Sequence, residues 1–241
     1  MTTSITRSKR ESRLKKWQRT AAAMLFWIAV WQCAAFFVGK EVLIPSPVRV
    51  VRRLWELAGQ EEFWTMAGAS LWRVLLGFAA ALAAGILLAV LTAASRICRA
   101  LLQPLVSVIR ATPVASFIIL ALVWLQSARV PVFISFLTVV PIVWANVESG
   151  ILQTDQKLLE MAKLYRFSRW KMLRHVYIPS VQPYFLSAFT TGLGFAWKSG
   201  IAAEVIANTR NSVGGQIYNA KIYLETPDLF AWTLVVIALS M

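Results

Sequence analysis

Apolar blocks long enough to cross a bilayer dominate this 241-residue chain. A transmembrane helix needs about 20 consecutive, predominantly apolar residues. Residues 21–38, 67–94, 101–125, 130–147 and 181–206 form five such blocks, and 229–241 opens a sixth. The chain is 58% hydrophobic and only 15% charged, against roughly 45–50% and about 25% in soluble domains. A soluble fold of this size has no core large enough to hide so many apolar helices. The predicted fold class is therefore all-α: a polytopic membrane protein with about six transmembrane helices. The last block supplies 13 residues, about 20 Å of helix, against a hydrocarbon core about 30 Å thick. Either a natural C-terminal end is missing or this helix starts earlier.

The formal charge of +14 would suggest a nucleic-acid partner in a soluble protein. Here the basic residues alternate with apolar blocks, so their reading is topological and no nucleic acid is expected. Residues 1–19 carry Arg7, Lys9, Arg10, Arg13, Lys15, Lys16 and Arg19 against Glu11. The apolar stretch that follows is longer than the 7–15 residues of a signal-peptide core and lacks a clear cleavage site. It is read as a retained first helix behind a basic cytoplasmic segment, 1–19, with the membrane domain covering 20–241. With the N-terminus inside, segments 1–19, 95–100 and 148–180 hold fifteen of the 25 basic residues, and the outside segments hold seven. That bias is what the positive-inside rule requires.

Several features organise the spans. Ser46-Pro47 is a helix start, with Ser as cap and Pro in the first turn. Val48, Val51, Leu54 and Trp55 then share a face, giving either a helix on the membrane surface or one packed on the other spans. Gly77, Ala81, Gly85 and Ala89 recur every four residues, a small-residue face for close helix approach. Residues 207–228 read as a polar outer loop. His175 is the only histidine and Cys33 and Cys98 are the two cysteines, so no metal site is expected. GLGFAWKS at 192–199 imitates a phosphate-binding loop, but Trp197 replaces its second Gly and an apolar span surrounds it. Arg110, beside Pro113, and Lys198 and Glu204 lie inside apolar blocks. Such charges usually mark a pathway or a pair, and both readings stay open. Trp124, Trp144 and Trp197 are candidate pathway aromatics, with interface anchoring the commoner use of tryptophan.

The only long polar stretch of the second half, 148–179, carries the functional signal. Asp155 can cap a helix running to about Tyr165, with Leu158, Met161, Ala162 and Tyr165 on one face. Ser168 can cap a second short helix, and Pro179 ends the stretch. An apolar-faced helix held outside the membrane asks for a protein partner. Glu160-Met161-Ala162, then Arg166, then Val176-Tyr177-Ile178-Pro179 resembles the EAA loop of binding-protein-dependent importer permeases. That pattern is Glu-Ala-Ala, three residues, Gly, nine residues, then Ile-x-Leu-Pro. Arg166 stands where the family has Gly. A side chain at positive φ costs free energy, so a differently shaped turn is expected here. Leu43-Ile44-Pro45-Ser46-Pro47, Ser70 to Phe78, Arg110-Ala111-Thr112-Pro113 and Ala202-Ala203-Glu204 resemble segments of the nitrate, sulfonate, taurine and bicarbonate permeases.

The resemblance implies the type I ABC importer fold in a bacterial plasma (inner) membrane, multi-pass, with a cytoplasmic coupling helix. It implies two permease copies, identical ones as is usual in this subfamily. Two cytoplasmic ABC ATPase subunits, an extracytoplasmic substrate-binding protein and membrane lipid complete the partners. ATP and Mg belong to the ATPase; no cofactor and no catalysis are expected in this chain. Leu158, Glu160, Ala162 and Tyr165 are the expected ATPase contacts, with Met161, Arg166 and Pro179 shaping the loop. Arg110, Pro113, Lys198 and Glu204 are the candidate pathway residues. The implied substrate is a small anion such as a sulfonate, taurine or nitrate, with a neutral or aromatic vitamin precursor as the alternative. An ion-coupled secondary carrier is the competing class, but no inverted repeat or matching broken helices are found.

Overall fold

A computed structural model describes residues 3–240, and the side chains of residues 3–17 and of Ala21 lie outside that description. The surroundings of most of the basic lead, and Met241 of the sixth block, are therefore outside the described residues. Among the described residues the chain forms eleven α-helices and one π turn: α1 (Thr3–Val38), α2 (Pro47–Ala58), α3 (Glu61–Ala94), α4 (Arg96–Ala111), α5 (Val114–Trp124), α6 (Val130–Leu152), α7 (Gln156–Leu164), α8 (Arg169–Met172), the π turn (Leu173–Tyr177), α9 (Ile178–Ile206), α10 (Val213–Ile222) and α11 (Thr226–Ser240). In hydrocarbon a helix satisfies its own backbone, which favours such an architecture.

Gln18–Val38, Glu61–Ala94 and Val130–Leu152 are long and apolar enough to cross a membrane. A fourth span arises if α4 and α5 count as one broken unit; they meet at 105°. The bend falls where the third apolar block carries Pro113. The residue before a proline is pushed out of helical geometry, and Thr112 is extended at φ −83°, ψ 131°. The block at 181–206 is helical throughout and starts earlier, at Ile178, but is more polar than those three. The short last helix also starts earlier, at Thr226.

The core is the packing of α3, α6 and α9. Gly77, Ala81, Gly85 and Ala89 are all buried on α3. A Cβ on Gly85 would lie 2.7 Å from Val143 Cβ, and one on Gly77 would lie 2.8 Å from Ser135 Cβ. Polar side chains pin the same helices: Ser135 Oγ donates to the Ala196 carbonyl at 3.1 Å, and Trp144 Nε1 donates to Thr92 Oγ1 at 2.7 Å. Trp197 Nε1 likewise donates to the Val236 carbonyl. Trp144 and Trp197 are thus buried core pins rather than pathway aromatics, while Trp124 is exposed.

On α2, Ser46 accepts from the Arg49 N–H with Pro47 in the first turn. The face turned inward is Val50 and Leu57, while Val48, Val51 and Trp55 stay exposed. The helix therefore packs on the bundle and keeps a second, outward apolar stripe. Arg53 fixes it to α11 through two bonds to Asp228, at 2.6 and 2.9 Å. That partner raises the Arg53 guanidinium further above its ordinary range.

The expected loop 207–228 contains a helix that the sequence reading did not include. Ser212 caps α10 by accepting from the Gly215 N–H at 2.9 Å. Gly214 and Gly215 allow it to lie against the end of α9: a Cβ on Gly214 would sit 2.7 Å from the Val205 nitrogen.

Candidate coupling loop and intramembrane charges

The segment 155–179 starts as its residues predict. Asp155 accepts from the Lys157 N–H at 2.8 Å and opens α7. Ser168 accepts from the Lys171 N–H and opens α8. α7 ends in a paired closure in which Phe167 N–H bonds the Ala162 carbonyl at 2.9 Å and Arg166 N–H bonds that of Lys163 at 3.0 Å. This is the Schellman arrangement, which needs a left-handed residue at the turn. Arg166 takes that conformation, with φ 50°. The expected change of shape is therefore not seen: the arginine occupies the backbone geometry that a glycine would hold freely.

Pro179 does not end the stretch. α8 continues through the π turn Leu173–Tyr177 into α9, and Pro179 sits in the first turn of that helix. Proline has no N–H to give four residues back and its ring crowds that carbonyl. A wider π turn just before it accommodates both effects.

The apolar face of α7 splits in two. Ala162 is fully buried, and α7 packs against the π turn, where Val176 is also buried. Ala162 therefore seats the helix instead of offering a contact. Leu158, Met161, Leu164 and Tyr165 stay exposed, the last two at 81% and 71%, and Glu160 is exposed beside them. Leu164 was not among the residues picked from the sequence, because it lies off the i, i+3, i+4, i+7 face. Three large apolar side chains and a tyrosine on a nine-residue helix are free to meet a partner.

The intramembrane charges separate into different environments. Glu204 has no exposed surface. Its carboxylate accepts from Ser70 Oγ at 2.8 Å, from Gly214 N–H at 3.1 Å and from Arg73 Nη1 at 3.2 Å. Arg73 also donates to the Asn211 carbonyl at 3.1 Å. This knot ties α3, α9 and the start of α10 together and leaves Glu204 no exposed surface in the single chain. The visible signal was Arg73 itself, a charge in an apolar block with Ser70 one turn before it. Arg110, at the end of α4, donates to the Pro141 carbonyl at 2.7 Å, beside the Pro113 bend. Lys198 is exposed and has no ion-pair or hydrogen-bond partner among the described residues. On the same helix Ser187, Thr190 and Thr191 are also exposed. Residues 187, 191, 194 and 198 fall on one helical face.

Comparison with known proteins completes the picture. Residues 81–241 match the model of the family described as binding-protein-dependent transport system inner membrane component. The chain belongs to that family. It is 30% identical over 234 residues to the putative aliphatic sulfonates transport permease protein of Escherichia coli, covering 94% of this chain and 87% of the relative. It is 26% identical over 212 residues to the taurine transport system permease protein of the same organism, covering 86% and 77%. It is 28% identical over 199 residues to the nitrate import permease protein of Synechocystis, covering 78% and 71%. This family member is an inner-membrane, multi-pass permease component of an ABC importer. It is a non-catalytic subunit, its ATPase is a separate protein, and a binding-protein-dependent system brings a substrate-binding protein as a further partner.

Proposed function

We propose that two identical copies of this permease enclose the substrate pathway, each with six spans: α1, α3, the α4–α5 pair, α6, α9 and α11. The N-terminus is cytoplasmic, which places α7 on the same side and α2 and α10 outside. Each α7 docks on one of two ATPase subunits, which hold ATP and Mg, through Leu158, Met161, Leu164 and Tyr165, with Glu160 at the edge. The observation that carries this reading is the exposed apolar face of α7 outside the membrane spans, closed into a rigid unit by caps at both ends. The polar face of α9, ending at Lys198, lines the pathway, and Arg110 adds a second cation near the bend. A small anion is the substrate class that fits such a lining. The relatives named for sulfonate, taurine and nitrate transport point the same way.

Co-purification of the permease with the ATPase encoded beside it tests the docking. Tyr165→Ala and Leu164→Ala are expected to cut retained ATPase by about tenfold or more, the loss typical of a buried interface anchor. Lys163→Ala, on an exposed position off that face, serves as control. Unchanged ATPase retention in both apolar variants would refute α7 as the docking element.

A further inference from the structure

A cavity of about 530 Å³ opens between the ends of α3, α6 and α9, beside the π turn. Val90 and Ala94 of α3, Ile151 of α6, and Leu173, Val181 and Phe185 are among its walls. Only Tyr177 and Gln182 bring polar atoms to it. Val90 and Ile178 are about half exposed, so the cavity opens sideways from the bundle instead of being enclosed. A lining this apolar does not suit an anionic substrate, because a charge entering it would lose its hydration without replacement.

Two basic residues adjoin the cavity walls along the chain. Arg96 follows the last cavity residue of α3 by two positions, and Arg174 follows Leu173 directly. Both are exposed and neither has a hydrogen-bond or ion-pair partner among the described residues. The neighbouring Arg99 is already paired with Glu148, at 3.0 Å. Two exposed arginines close in sequence to the walls of an apolar slot of acyl-chain character match one class of ligand, an amphiphile with an anionic head. Basic pockets between membrane helices on the cytoplasmic side take such lipids, and the volume lies within the range of ligand-binding clefts.

We infer that this cavity is a binding site for an anionic phospholipid, with an acyl chain between α3 and α9 and its phosphate at Arg96 and Arg174. The position gives the lipid a consequence. Leu173 and Tyr177 belong to the π turn that joins the α7–α8 loop to α9. A chain lodged there braces the turn through which movement of α7 reaches α9. This inference rests on the membrane reading given above but not on the identity of the ATPase or the substrate.

The test is native mass spectrometry of the delipidated permease in micelles, titrated with dioleoyl phosphatidylglycerol or dioleoyl phosphatidylcholine. One phosphatidylglycerol per chain is expected to bind in preference to phosphatidylcholine. The Arg96→Gln/Arg174→Gln pair should weaken phosphatidylglycerol binding by about 30-fold, since each basic residue at an anionic surface contributes roughly a fivefold factor. Val90→Trp, which fills the slot, should abolish the bound lipid while leaving Arg96 and Arg174 in place. If Val90→Trp does not fold, the arginine pair decides, because both side chains are exposed and carry no packing. Equal binding of the two lipids, or phosphatidylglycerol binding indifferent to the arginine pair, overturns the site. So does a wild-type dimer that excludes lipid, which would make a second copy the occupant. The micelle assay contains no ATPase, so its failure leaves the importer reading standing, and failure of ATPase docking leaves this result untouched.

Discussion

Arg166 shows how one side chain can hold a backbone geometry against its own preference. The left-handed region costs an L-residue roughly 1–2 kcal/mol, yet Arg166 sits at φ 50° because the closure of α7 needs that conformation. Arg166→Gly should therefore stabilise the α7 closure by about 1 kcal/mol, after allowing for the greater freedom glycine has when the turn is open. The expected readout is hydrogen exchange at the Phe167 amide, which bonds the Ala162 carbonyl. It should slow by about fivefold, the factor that 1 kcal/mol represents for local opening. Faster exchange would mean that the arginine side chain contributes a contact outweighing its backbone cost. Glu204 illustrates the opposite limit of sequence reading. Its charge in an apolar block was visible, but its partner lies 131 residues away, and spacing along one helix cannot find a partner on another.

Close approach of α3 to α6 rests on glycines that have no room for a side chain. A Cβ on Gly85 would meet Val143 at 2.7 Å, whereas one on Gly68, earlier on the same helix, meets nothing within 4 Å. Gly85→Ala should destabilise the bundle by about 1–3 kcal/mol, the usual cost of overpacking. Gly68→Ala should gain about 0.5–1 kcal/mol from helix propensity. Denaturation of the two variants in detergent, side by side, checks the pair; a neutral Gly85→Ala would mean the helices can separate without loss. Such contrasts mark what was legible in the chain. Every-fourth-residue glycine and alanine and the Ser46, Asp155 and Ser168 caps are local chemistry, so they could be read directly. Pro179 reads as an end from the sequence, because proline's two effects admit either a stop or a widened turn. α10 was missed because Gly214 and Gly215 argue against a helix, and only the nearby end of α9 explains why they are tolerated. The inward face of α2 was likewise hidden, since both of its stripes are apolar and only packing against the bundle distinguishes them.

Taken as a whole, the molecule leaves its membrane-depth charges out of balance. The negative charge of Glu204 is met by Arg73 inside the knot with Ser70 and Gly214. Arg110 spends a donor on the Pro141 carbonyl, while Lys198 is exposed, with no partner among the described residues, on a face shared with Ser187 and Thr191. A lone ammonium facing lipid tails is costly, so such a group faces water, a cavity or a neighbouring polar surface. On the proposed pathway, Lys198 attracts an anion during its passage, and hydroxyls along α9 replace part of the lost hydration. Lys198→Gln leaves a polar, slightly shorter side chain and removes the charge. In vesicles carrying the full importer, it should lower uptake of a small sulfonate by about tenfold, the factor of one lost charge-assisted hydrogen bond. ATPase retention should stay unchanged, because Lys198 lies about 30 Å of helix from the end of α9 that joins the α7–α8 loop. Lys198→Arg should restore much of the uptake, which a merely structural lysine has no reason to do. Undiminished sulfonate uptake in Lys198→Gln would remove Lys198 from the pathway and leave the α9 face to contacts with the second copy. Loss of uptake that arginine cannot rescue, together with loss of ATPase retention, would make Lys198 a folding determinant instead.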